Sequence, residues 1–176
     1  MANTLIVNLF GAPGAGKSTG AAYVFAMLKA KGINAELISE FAKGKVWEGN
    51  QTALDNQAYL FGKQYYTMTR CQDKVDVIIT DAPLLNSVYY NQDPLLGEEF
   101  NAMVRKIHES YNNLNVYVNR VKAYNPKGRY QSEERSNEMA DEIHEWLTLK
   151  ENQELMEING CTADYDRLVE VIMAEL

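Results

Sequence analysis

Leu5-Ile-Val-Asn-Leu-Phe-Gly-Ala-Pro-Gly-Ala-Gly-Lys-Ser18 is the stretch that decides the fold. Its first six residues are a short apolar run closed by glycine, which suits a strand buried on both faces. The next eight meet the pattern G-x-x-x-x-G-K-[S/T] at Gly11, Gly16, Lys17 and Ser18. Glycines let successive backbone N–H groups turn inward and approach phosphate oxygens closely. Gly11, Ala12, Pro13, Gly14, Ala15, Gly16, Lys17, Ser18 and Thr19 are therefore expected to bind a nucleoside triphosphate. The helix that follows adds the positive end of its dipole. Lys17 can reach the β- and γ-phosphates, and the Ser18 hydroxyl can ligate Mg²⁺.

Outward from this loop, apolar periodicity alternates between strand and helix. Ala21, Val24, Phe25 and Leu28 have helical spacing, and Gly32 ends that helix. Residues 34–38 predict a second strand. Leu54, Ala58, Phe61, Tyr65 and Met68 predict one long helix over 52–73. Residues 75–80 form a third expected strand, 98–111 a helix, and 115–121 a fourth strand. Residues 122–131 make a loop around Pro126 and Gly128. Met139, Ile143 and Leu147 mark another helix, 155–158 a short fifth strand, and 163–176 a closing helix. Strands alternating with helices imply an α/β fold with a parallel sheet covered on both faces. Ligands in such sheets sit beyond the carboxyl ends of the strands. That edge would gather the phosphate loop, residues 39–43, Asp81 and Arg120.

The bulk properties agree with a single soluble domain over residues 1–176. The chain has 46% hydrophobic and 23% charged residues and two cysteines, Cys71 and Cys161, read as free thiols. No apolar run approaches a membrane span and no signal peptide is apparent, so a cytoplasmic protein without a membrane partner is expected. The net charge is −7, but its distribution is uneven. Residues 133–176 hold 13 acidic side chains against Arg135, Lys150 and Arg167, a balance of −10, whereas residues 1–132 carry +3. The acidity is thus a property of the last quarter, read as a solvated helix face. His108 and His144 have no metal-ligand neighbours at suitable spacing and read as structural or surface residues.

The loop alone does not choose among kinases, GTPases and ATP-driven machines. Asp81, at the end of an apolar strand, suits the acidic position that holds Mg²⁺. Ala82 follows it, where many ATP-hydrolysing machines place a glutamate to activate water. The N-K-x-D string of small GTPases is absent. A phosphotransferase needs a closing lid with cations, because charge builds on the transferring group. Arg120, Lys122, Lys127, Arg129 and Arg135 fall within 16 residues and are either a solvated basic loop or that lid. Arg120 and Arg129 are expected to contribute most, as guanidinium pairs with phosphate oxygens in bidentate fashion. Glu40, at a strand end beside the loop, is either a catalytic base or a helix N-terminal charge.

Four stretches carry a resemblance: residues 11–19, Ser39-Glu-Phe-Ala-Lys43, Ile79-Thr-Asp-Ala-Pro-Leu-Leu85 and Tyr124-Asn-Pro-Lys-Gly-Arg129. In them the chain resembles small P-loop kinases of the nucleoside and nucleotide kinase superfamily, in particular phage-encoded AAA-type ATP-binding proteins and nicotinamide riboside kinase domains. The resemblance implies a three-layer fold with a five-stranded parallel sheet and a short lid, approximately residues 120–138. It implies an ATP- and Mg²⁺-dependent transfer of the γ-phosphate to a hydroxyl or phosphate of a nucleoside, nucleotide or related small molecule. Glu40 occupies the place of the residue that accepts the acceptor's proton, and Lys43 stands where the group often has arginine. Adenine would lie between a lid arginine and the turn after the last strand, here Asn159 and Gly160. A glutamine on the long helix would read a base edge, with Gln64 the candidate because it lies off the apolar stripe. By position alone, Phe41 and Trp47 flank Glu40 and either wall a ring or only cap the core. The catalytic set expected is Lys17, Glu40, Asp81, Arg120 and Arg129, with Ser18 and Asp81 at the metal and Glu40, Phe41, Lys43 and Gln64 at the acceptor. Two alternatives remain: a kinase acting on a nucleic-acid end or a hydroxymethylated base in DNA, and a regulatory ATP-binding module without turnover.

Overall fold

A computed structural model describes residues 4–127 and 131–176. Five strands, β1 (Leu5–Phe10), β2 (Ala35–Ile38), β3 (Val77–Thr80), β4 (Asn112–Asn119) and β5 (Met156–Asn159), form one sheet in the order β2-β3-β1-β4-β5. Every pairing is parallel. The helices are α1 (Lys17–Ala30), α2 (Phe41–Trp47), α3 (Gln51–Leu54), α4 (Gln57–Thr69), α5 (Asn86–Tyr90), α6 (Gly97–Glu109), α7 (Glu133–Glu145) and α8 (Thr162–Glu175). A π-helical turn, Trp146–Lys150, extends α7. The three-layer α/β architecture is thus the one expected.

Side-chain alternation along β1 builds the two halves of the core. Leu5, Val7 and Leu9 face one side, where α1 and α8 bring Val24, Leu28, Leu168 and Ile172. Ile6 and Phe10 face the other, against Phe61, Phe100, Val104 and Ile143 from α4, α6 and α7. Asn8, also on that second face, is buried and donates to Asn113 Oδ1 at 2.9 Å and Asn115 Oδ1 at 3.0 Å. Asn115 in turn donates to Gln153 Oε1 at 2.8 Å. Mutual amide pairing explains why β4 begins at Asn112, three residues earlier than apolarity alone predicts. The same strand ends at Asn119, leaving Arg120 just outside it.

One expectation is corrected. The single helix predicted over 52–73 is broken into α3 and α4. Asn50 caps the first by accepting from the Ala53 N–H at 3.0 Å, and Asn56 caps the second by accepting from the Tyr59 N–H at 2.9 Å. A cap satisfies N–H groups that a continuous helix would bond itself, so the two asparagines outcompete the unbroken apolar stripe. Within residues 120–138, where a lid is expected, α7 starts at Glu133 behind the Ser132 cap and buries Ser136, Met139 and Ile143. No helix among the described residues is long and apolar enough to cross a membrane.

Candidate active site

The carboxyl ends of β1, β2 and β3 open into one cavity of about 750 Å³. Its floor is the phosphate loop, with Gly11, Pro13, Gly14, Gly16, Lys17, Ser18 and Thr19 on the wall. Ala12 and Ala15 are buried behind it and line a second, smaller cavity. Gly16 has φ +109°, a left-handed conformation that favours glycine, and a Cβ there would come within 2.6 Å of the Tyr165 hydroxyl. That hydroxyl donates to the Gly16 carbonyl at 3.0 Å, so α8 braces the loop where α1 begins. Lys17 is folded over the loop, its ammonium donating to the carbonyls of Gly11 at 2.6 Å and Ala12 at 2.9 Å.

Glu40 and Asp81 meet across the gap between β2 and β3. The Glu40 N–H donates to Asp81 Oδ1 at 3.0 Å, and both residues line the cavity. Asp81 is only 5% exposed. Enclosure pushes the Glu40 carboxyl above its usual range; Lys17 and Lys43 pull it down and Asp81 pushes it further up. Tyr90 of α5 stands on the same wall, and enclosure, then the Glu40 charge, hold its hydroxyl above the ordinary phenol range.

Ser18 and Asp81 are both oxygen donors on the cavity wall. A hydroxyl and one carboxylate suit Mg²⁺, which keeps several waters and takes its remaining ligands from phosphate oxygens. Among the described residues no cluster of three or more His, Cys, Asp or Glu could hold a metal by itself. The donor set therefore fits a metal that arrives with a nucleotide.

Of the expected acceptor residues, Glu40 and Lys43 line the cavity, whereas Phe41 and Gln64 do not. Residues 41–47 form a helix that apolar periodicity did not reveal. Its cavity face carries Ala42, Lys43, Val46 and Trp47. Phe41 falls on another face, packed edge-on to the Tyr59 ring at 5.5 Å with the Lys45 ammonium 5.4 Å from its centroid. Gln64 is buried and braces the site from behind, accepting from the Phe41 N–H at 3.3 Å and donating to Thr80 Oγ1 at 3.4 Å. Gln57, one helical stretch earlier, reaches the cavity instead. The sequence carries no signal for Tyr90 beyond its place shortly after Asp81-Ala-Pro.

Arg120 turns away from the large cavity. It pairs with Glu133 at 2.9 Å, donates to Asn137 and lies 5.3 Å from the Tyr124 ring centroid. It lines the second cavity, of about 300 Å³, with Asn119, Asn137 and Asp141 behind Ala12 and Ala15. The basic segment contributes Lys127 and Gln131 to the main cavity, while Arg129 lies outside the described residues. Asn159 and Gly160 line neither cavity. The Asn159 N–H donates to Asp164 Oδ2 at 2.6 Å, and Gly160 lies against the back of the loop at Ala15.

A phosphate-binding loop between a buried strand and a helix, at the carboxyl edge of a five-stranded parallel sheet, defines a P-loop NTPase, built for nucleotide binding with hydrolysis or transfer of phosphate. The chain belongs to the AAA domain family, whose model matches residues 6–165. No curated protein matches it. Among solved structures it is similar to the one titled "Crystal structure of APE1195", with TM-score 0.53 and 19% identity over 99% of this chain and 97% of that one. At that identity the likeness is one of fold alone.

Proposed function

We propose that the protein is an ATP- and Mg²⁺-dependent phosphotransferase of the nucleoside and nucleotide kinase type, acting on a small-molecule acceptor. One observation carries this reading: the phosphate loop and the Glu40–Asp81 pair line a single cavity that continues past Lys43 to an apolar wall. Simple hydrolysis needs room only for nucleotide and water, whereas a cavity of about 750 Å³ has room for a second, drug-sized molecule beside the phosphates.

The backbone N–H groups of residues 14–19 and the α1 N-terminus would bind the β- and γ-phosphates, and Lys17 would move from Gly11 and Ala12 onto them. Ser18 and Asp81 would hold Mg²⁺, which supplies charge neutralisation between the phosphates. Glu40 would accept the acceptor's proton as the acceptor oxygen bonds to the γ-phosphorus. The bond from that phosphorus to the bridging oxygen breaks, and the pair of electrons leaves with ADP. Glu40 is suited to this by its place on the cavity wall beside Asp81 and the phosphate loop. The smaller cavity beside Arg120, Asn137 and Asp141 would take the purine of ATP.

The test is γ-labelled ATP with Mg²⁺ against nucleosides, nucleotides, nicotinamide riboside, DNA and RNA, with Lys17→Ala as the control. Label on a small molecule that disappears with Lys17→Ala is the expected result. Glu40→Gln should lower the transfer rate while ATP still binds. Label only on polymer would make the protein a nucleic-acid kinase. ATP binding with no labelled acceptor would refute transfer and leave a regulatory module.

A further inference from the structure

The phosphate loop contains a β-turn. The Ala15 N–H donates to the Ala12 carbonyl at 3.2 Å, with Pro13 and Gly14 between them. Gly14 has φ +83°, the value that the third residue of a type II turn requires, and proline is common at the second. A type I turn closes with the same hydrogen bond and also favours proline at the second position. The two types differ by about 150° in ψ of the second residue and about 170° in φ of the third, so the peptide between them turns over. Glycine at the third position tolerates both. Local sequence therefore permits the Pro13–Gly14 peptide to point either way.

A contact from α7 selects one direction. Ser136 is 1% exposed, and its hydroxyl donates to the Pro13 carbonyl at 2.7 Å, a partner 123 positions away in sequence. A serine inside a helix commonly returns its hydroxyl to the carbonyl one turn back. Here the Ser132 carbonyl accepts from the Ser136 N–H at 2.9 Å, and the hydroxyl crosses to the loop instead. Among the described residues no backbone N–H donates to the Pro13 carbonyl, so Ser136 is what holds it. In a trans peptide the C=O and the N–H point opposite ways. With its oxygen drawn to α7, the Pro13–Gly14 peptide directs the Gly14 N–H away from α7, toward the main cavity whose wall Gly14 forms. Turned over, the same peptide would offer a phosphate a carbonyl oxygen, which repels an anion where an N–H attracts it.

We propose that Ser136 of α7 is a positioning residue for phosphate binding, its hydroxyl latching the Pro13–Gly14 peptide so that the Gly14 N–H faces the incoming anion. Tyr165 of α8 has the matching place at the other end of the loop. Its hydroxyl donates to the Gly16 carbonyl at 3.0 Å, alongside the Gly20 N–H at 2.8 Å, and so directs the Lys17 N–H outward from the start of α1. Two hydroxyls from two helices thus hold the loop from behind, and neither residue lines the main cavity. The latch acts on phosphate binding alone. It holds whether the γ-phosphate is transferred or hydrolysed and does not rest on the phosphotransferase reading.

The test is titration of the full chain, with Mg²⁺ present, by a non-hydrolysable ATP analogue and separately by inorganic tripolyphosphate, which has the phosphates and no base. Ser136→Ala should weaken both by the same factor, roughly tenfold or more, the scale of one lost hydrogen bond to a charged group. In a chain labelled with ¹⁵N-glycine, the Gly14 amide resonance of the unliganded protein should move in the same variant. Tyr89→Phe is the control. It removes another hydroxyl contact of α7, the 2.9 Å bond from Tyr89 to Glu142, and should leave both affinities within about twofold of the parent. Ser136→Cys keeps a weak donor and should fall between parent and Ser136→Ala. It carries the same measurements if thermal unfolding shows that Ser136→Ala does not fold. An analogue weakened while tripolyphosphate is not would mean that Ser136 acts on the base, through the smaller cavity that it also lines, and would overturn the proposal. So would unchanged affinities in a folded Ser136→Ala, equal losses in Tyr89→Phe, or a parent chain that binds no tripolyphosphate.

Discussion

Gly160→Ala tests how the fold shapes the phosphate loop. A Cβ at Gly160 would lie 2.2 Å from the Ala15 carbonyl oxygen, where ordinary C···O contacts begin near about 3.3 Å. One backbone must therefore move by roughly 1 Å. The turn cannot retreat easily, because the Gly160 N–H donates to the Asn119 carbonyl at 2.8 Å and the same Cβ would be 3.4 Å from that oxygen. Gly160 does not have a left-handed φ, so the cost is steric and not conformational. Overpacking of this kind costs about 1–3 kcal/mol, which for this chain length lowers Tm by roughly 3–9 °C. Displacing Ala15 also disturbs the N–H groups that would meet phosphate, and a misplacement of about 1 Å can cost on the order of 100-fold. Titration with a fluorescent ATP analogue alongside thermal unfolding should show nucleotide affinity falling at least tenfold and Tm falling with it. Gly62→Ala is the control: it lies in α4 with no heavy atom within 4 Å of its added Cβ, and should raise stability by about 0.5–1 kcal/mol. Unchanged affinity and Tm in Gly160→Ala would refute the claim that this turn sets the position of the loop.

Arg105→Ala should destabilise the fold by about 1.5–3 kcal/mol in denaturant titration, because it strips a bidentate partner (2.8 and 2.9 Å) from Glu151, whose side chain is 4% exposed and keeps only the Trp146 indole N–H among its side-chain partners in the described residues. Asn56→Ala should cost about 1 kcal/mol by removing the cap of α4 and should loosen the wall that carries Gln57 and Leu60. Burial holds the His108 imidazole below its ordinary value, against the Gln153 hydrogen bond that raises it. The unfolded chain therefore takes up this proton first as pH falls below about 6.5, so the stability linked to His108 is complete above that value and is lost progressively below it. Denaturant midpoints measured from pH 8 to 5 should fall for the parent chain and fall less for His108→Gln; equal slopes would remove His108 from the account.

The sequence by itself determined the sheet, the phosphate loop and the acidic pair. The run from Leu5 to Phe10 has alternating faces that must both be covered, and the glycines from Gly11 to Gly16 permit the turn that follows. Glu40 and Asp81 were legible because strand ends in a parallel sheet share one edge, whatever lies between them in the chain. Tertiary structure alone decided which neighbours of those residues enter the site. Phe41 and Gln64 belong to the right segments, yet α2 presents Lys43 and Trp47 to the cavity and leaves Phe41 on Tyr59. Gln64 is drawn into the gap between Phe41 and Thr80. Arg120 follows the end of β4, but Glu133 and Asn137 of α7 hold it toward the smaller cavity. A helix of seven residues has too few turns for periodicity to reveal its faces, and a long polar side chain goes to whichever partner the packing brings near. Local pattern thus determines where the strands end, and only the packed helices determine which side chains stand at those ends.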